Sequence, residues 1–139
     1  FKRITSILQI QLVDGNEVEI DLNDKKHIII ELPKEKYQQH IDKLKTPFFQ
    51  PALLSTMVFE AFIRAFQHLS DKDTQTWARV LEHKARELGY DDVKRNLEED
   101  PDLAFEITRK ILEDPYFQLF NLLEDIGSNN GNENENAMA

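Results

Sequence analysis

The sequence contains no cysteine and only four glycines among its 139 residues. The first absence excludes a disulfide framework and thiolate metal centres, and it favours a reducing, cytoplasmic setting. The second leaves no Gly-rich loop to cradle a phosphate: Gly15, Gly89, Gly127 and Gly131 each stand alone. None of Ser6, Ser55, Ser70 or Ser128 has the flanking glycines of a nucleophile elbow. Positive charge is also scarce. Lys and Arg number 17 against 26 Asp and Glu, a net charge of -9. That balance argues against nucleic acid and against anionic membrane surfaces, both of which need a positive field. Long hydrophobic runs are missing too. The greasiest stretch, PFFQPALLSTMVFEAFIRAF (47–66), is interrupted by Glu60 and Arg64, short of the roughly 18 residues a membrane span needs. The four histidines, His27, His40, His68 and His83, fall in no His-x-His or His-Glu-x-x-His spacing. His83 with Glu87, and Arg64 with His68, read as ordinary surface pairs one helical turn apart.

What is present begins with alternation. Leu8, Ile10 and Leu12, then Val18, Ile20 and Leu22, then Ile28, Ile30 and Leu32 each occupy every second position. This period-two pattern predicts half-buried strands over residues 4–32. Asp14-Gly15 is a hairpin signal. A three-residue loop, Asp14-Gly15-Asn16, would pair Leu12 with Val18 and Ile10 with Ile20, keeping grease opposite grease. A turn over 23–26 would then pair Leu22 with Ile28 and Ile20 with Ile30. The expected sheet is a three-stranded antiparallel meander with one apolar face.

From Pro33 the period becomes helical. Tyr37, Ile41 and Leu44 predict a helix over 34–44. TPFFQP (46–51) predicts an extended link, and residues 51–69 a helix apolar around most of its circumference, hence central. SDKD (70–73) offers a capping box, and Trp77, Val80, Leu81, Ala85 and Leu88 form the buried stripe of the helix that follows, closed by Gly89. Asp-Pro occurs at 100–101 and 114–115, which predicts helices over 101–113 and 115–125. Phe105, Ile107, Ile111, Phe117, Phe120 and Leu123 are expected to cover the central helix. The fold class is therefore α+β: the meander covered on one face by four to five helices over 34–125. Residues 1–126 form one domain, expected to be the C-terminal part of a longer protein because the chain opens on Phe1, and 127–139 form a flexible polar tail.

Three surfaces are candidates for function. The polar sheet face carries Glu19, Asp21 and Glu31, with Glu19 across from Glu31; clustered carboxylates suit a hard divalent cation, and equally a solvated face. Lys36, His40 and Lys43 fall on one face of the 34–44 helix beside Tyr37, a local basic strip that a nucleic acid could use. Phe48 and Phe49 sit side by side in an extended segment, so their rings point to opposite sides and one needs a second surface to cover it. Because catalytic motifs are missing while docking surfaces are present, the expected function is a non-catalytic interaction or assembly module without cofactors. Its partner would be another protein chain, an upstream domain of the same protein, or a second copy. The alternatives are a metal-dependent enzyme domain using the acidic sheet face and a nucleic-acid accessory module using the Lys34–Lys45 helix.

Overall fold

Ile28, Ile29 and Ile30 lie consecutively in one strand and are all buried, so that strand needs neighbours on both edges and cover on both faces. The computed structural model, which describes residues 6–44, 46–47 and 50–138 (without the side chains of Leu44 and of 128–138), gives it neighbours on both edges. Strands β1 (Leu8–Val13), β2 (Glu19–Asp21) and β3 (Ile28–Pro33) form a sheet in the order β1-β3-β2. β2 and β3 pair antiparallel, with Ile20 opposite Ile30 and Glu19 opposite Glu31, as the alternation predicts. β1 does not join β2. It lies on the far side of β3 and runs parallel to it, with Leu8 opposite Ile28, Ile10 opposite Ile30 and Leu12 opposite Leu32.

The sheet is thus mixed, not an antiparallel meander, and the expected Ile10–Ile20 pair does not form. The physical reason lies in β3. Read as an alternating strand, it assigns Ile29 to the polar face. Read as a continuous apolar run, it is the strand that must occupy the centre. Residues 14–17 then make an open series of bends across the end of the sheet rather than a tight hairpin.

The helices outnumber the four to five expected. α1 (Lys34–Tyr37) and α2 (Ile41–Leu44) replace the single 34–44 helix, separated by a turn in which His40 N–H donates to the Tyr37 carbonyl and Lys43 N–H to that of His40. The central helix is a rod of three pieces: α3 (Gln50–Leu53), a π-helical turn (Leu54–Val58) and α4 (Phe59–Gln67). The widened turn has a local cause. Ser55 and Thr56 both direct their hydroxyls to the Ala52 carbonyl, at 3.2 and 2.7 Å, and hydroxyls bonding back along a helix loosen its ladder.

α5 (Thr76–Glu87) starts later than the SDKD signal suggests, and no side chain caps it. Its first turn is bound instead to the β2–β3 turn: Thr76 N–H donates to the Lys25 carbonyl at 2.7 Å, and Trp77 Nε1–H to that of Asp24 at 3.0 Å. Gly89, at φ +99°, ends α5, with Tyr90 N–H reaching back to the Ala85 carbonyl. α6 (Val93–Glu99) was not foreseen, although Val93 and Leu97, one turn apart, are the residues it buries. α7 (Leu103–Ile111) begins two residues after Pro101, and α8 (Pro115–Met138) begins at its proline. Where the sequence predicts a helix ending near 125, α8 continues through the polar segment; no proline follows Pro115 to break the backbone ladder.

One continuous buried cluster joins the layers. Ile28, Ile30 and Leu32 from β3 meet Phe62 and Phe66 from α4, Trp77 and Leu81 from α5, and Ile107 and Ile111 from α7. No helix among the described residues is long and apolar enough to cross a membrane.

Candidate interaction face

The central helix and the C-terminal helices each contribute phenylalanines, and their surroundings differ. Phe59, Phe62 and Phe66 of α4 are 5%, 0% and 1% exposed. Phe105 of α7 is 51% exposed, and Phe117 and Phe120 of α8 are 62% and 66% exposed. The expectation that the second set covers the central helix therefore fails in part. Ile107 and Ile111 do face inward, but Phe105, Phe117, Phe120 and Leu123 face out. On α8 the inward stripe is aliphatic. Leu119, Leu122 and Ile126, spaced i, i+3, i+7, are half-buried, and Gln118 beside them is held by hydrogen bonds to the core-side turn. The aromatic residues occupy the opposite stripe.

The two sets meet at Phe59. Its ring lies 5.3 Å from that of Tyr116, tilted by 49°, and 6.0 Å from that of Phe105, tilted by 54°. Both are tilted pairs at centroid distances within the favourable range for aromatic rings. Tyr116 is one turn from Phe120, which is three residues from Phe117. Phe105 and Tyr116 thus lie over the start of α4, next to the π turn, and Phe120 and Phe117 continue the exposed aromatic stripe along α8; together they form the aromatic strip.

The phase of α8 that exposes this strip is set by the α7–α8 turn. Glu113 and Asp114 both have left-handed backbone, φ +56° and +55°, a costly conformation for residues other than glycine. It persists because the turn is tied on every side. Asp114 N–H donates to the Arg109 carbonyl at 2.9 Å, and Glu113 N–H to that of Lys110. Gln118 Nε2 donates to the carbonyls of Leu112 and Glu113, at 3.1 and 2.9 Å. Asp114 Oδ1 accepts from Phe117 N–H. Beside the turn, Lys110 Nζ donates to Tyr90 Oη at 2.8 Å and lies 5.1 Å from the centre of that ring, with Glu106 3.7 Å away. The Tyr90 hydrogen bond, reinforced by Glu106, raises the Lys110 ammonium above the ordinary lysine value.

The other candidate residues are placed as follows. Phe48 and Phe49 lie outside the described residues. Lys36 sits on α1, His40 in the turn and Lys43 on α2, all exposed; with the helix interrupted between them, they do not share one regular helical face. Lys36 Nζ lies 5.8 Å from the Tyr37 ring centre. On the sheet, Glu19 and Glu31 are direct cross-strand partners, and Asp21 is opposite Ile29. Asp21 Oδ1 accepts the Asn23 N–H at 2.8 Å, so part of that carboxylate serves the turn. Among the described residues no group of three or more His, Asp or Glu side chains is arranged to hold a metal ion. His27, His68 and His83 pair with Asp24, Asp71 and Glu87 respectively, each close in sequence.

Compared with known proteins, the chain matches no family model, no curated protein and no solved structure.

Proposed function

We propose that this chain is a non-catalytic protein-interaction module that docks a partner protein chain, or an upstream domain of the same protein, on the aromatic strip of α7 and α8. The observation that carries this reading is the exposure of Phe105, Phe117 and Phe120 on two adjoining helices of an otherwise charged chain. Large apolar side chains clustered on a surface cost solubility and mark interaction sites more often than isolated ones do. Aromatic side chains at helical spacing are also the usual anchors of helix-in-groove recognition. The turn before α8 adds support: a strained, multiply tied reversal holds the strip at a fixed angle, which lowers the ordering cost of binding.

The test is a photo-crosslinking amino acid at Phe120, with Arg86 on α5 as the exposed control position, followed by identification of the adducts formed in the native host. The reading requires a discrete protein adduct from position 120 and none from 86, lost in the Phe117→Ser, Phe105→Ser background while the thermal melt stays unchanged. Equal labelling from both positions overturns it.

A further inference from the structure

The two edges of the sheet are built differently. The β2 edge is short, and charged Glu19 and Asp21 flank its one central residue, Ile20. These are the usual guards against edge-to-edge pairing. The β1 edge, LQIQLV, has six residues, no charge and no proline. Its backbone is also presented for pairing. Ile28 N–H donates to the Ile7 carbonyl at 2.7 Å, which fixes the phase of the parallel ladder. The odd residues Gln9, Gln11 and Val13 turn their backbone groups toward β3, and the even residues Leu8, Ile10 and Leu12 turn theirs outward. Among the described residues no strand pairs with that edge. The side chains agree: Leu8, Ile10 and Leu12 are only half-buried, whereas their register partners Ile28, Ile30 and Leu32 are 0%, 1% and 0% exposed.

We infer that β1 is a homodimerisation edge, on which a second copy of this chain lays its own β1 antiparallel about a two-fold axis at Ile10. The occupant follows from the register. With Ile10 on the axis, Leu8 falls opposite the copy's Leu12, and the outward N–H and C=O groups of 8, 10 and 12 meet their counterparts as hydrogen-bonded pairs. A two-fold axis perpendicular to the sheet keeps the leucine and isoleucine side chains of both copies on the same, helix-covered face, where they complete each other's cover. Charge decides between the edges. On β1 the opposing pair is Gln9 with the copy's Gln11, neutral and able to hydrogen-bond. The same operation at Ile20 would set Glu19 against the copy's Asp21, a like-charge clash. In a chain of net charge -9, copies repel one another, and an uncharged edge adds no local repulsion to that.

This inference is independent of the aromatic strip. Sedimentation equilibrium of the full chain tests it, with far-UV circular dichroism as the folding control. A concentration-dependent monomer–dimer equilibrium is expected. Gln9→Glu combined with Gln11→Glu places like charges across the axis and raises the dissociation constant by about tenfold at low salt, less at high salt. Gln9→Lys combined with Gln11→Glu places opposite charges there and restores or tightens the dimer. A monomer at every soluble concentration overturns the inference. So does a dimer that ignores both pairs, or one that Phe117→Ser with Phe120→Ser abolishes, since that dimer would use the strip instead.

Discussion

Phe62 and Phe120 are the same side chain on two helices of one molecule, one sealed from water and the other two-thirds open to it. The difference is not one of hydrophobicity. α4 is apolar nearly all round and has neighbours on several sides, so every phenylalanine on it finds cover. α8 carries two apolar stripes, and among the described residues its main packing partner is the rod of α3 and the π turn. The branched aliphatic stripe goes to that partner, and the aromatic stripe is left outside. A helix with more apolar surface than its neighbours can cover keeps the surplus for something else.

The sharpest way to break this comparison is to truncate both rings. Phe62→Ala should lose about 3–5 kcal/mol in urea melts, because it removes buried contacts and leaves a cavity. Phe120→Ala should change stability by no more than about 0.5 kcal/mol, as exposed substitutions do. Similar losses from the two would show that the α8 strip is covered in the free protein.

Gln118 tests what holds the strip in place. Its side-chain amide serves the carbonyls of Leu112 and Glu113 at the strained turn, so Gln118→Ala should cost about 1–2 kcal/mol and loosen the helix phase. Faster amide exchange at Asp114 and Phe117, with the core of α4 unchanged, is the expected signature. Uniform loss of protection would instead assign Gln118 to the global core.

Thr108 lies on the buried side of α7, nearly one turn on from the exposed Phe105. It is fully buried, and its Oγ1 has no hydrogen-bond partner among the described residues. Thr108→Val keeps the shape and removes a polar atom that burial penalises, so the protein should gain about 1 kcal/mol. A loss of stability on thermal or urea unfolding would mean that the hydroxyl is satisfied after all.

The smallest effect belongs to the turn that anchors α5. Asp24 is held below the ordinary carboxylate value, first by the His27 N–H on its Oδ2 and second by the Lys26 N–H. The sign follows from linkage. A group whose pKa is lowered on folding stabilises the fold above its unfolded value of about 3.9, and that contribution fades as the pH falls through the lowered folded value. Asp24→Asn should therefore slightly lower stability near neutral pH and make the acid limb of the stability curve shallower. An acid limb unchanged from the parent would show that the turn carboxylate does not contribute.

Much of this architecture is written in local pattern. The α+β class, the β2–β3 register with Ile20 against Ile30, the burial of Trp77, the glycine stop at Gly89 and the helix starting at Pro115 all follow from spacing and backbone chemistry that act over a few residues. The interaction strip was half legible. Leu119, Leu122 and Ile126 on one side of α8, and Phe117 and Phe120 on the other, announce a helix that one neighbour cannot cover. Which stripe would face out could not be read, because the rotation of α8 is set by two left-handed residues, Glu113 and Asp114, whose types do not call for that conformation.

The partner of β1 belongs to the same class of fact. Alternation specifies which face of a strand is apolar, and the sequence by itself determined that for β1 and β2, while β3 is buried at Ile28, Ile29 and Ile30 alike. It says nothing about which edge a strand takes, since the side-chain pattern of β1 fits a place beside β2 or beside β3 equally well. Tertiary structure decided it, by placing the strand with three consecutive buried isoleucines in the middle, where both its edges are paired.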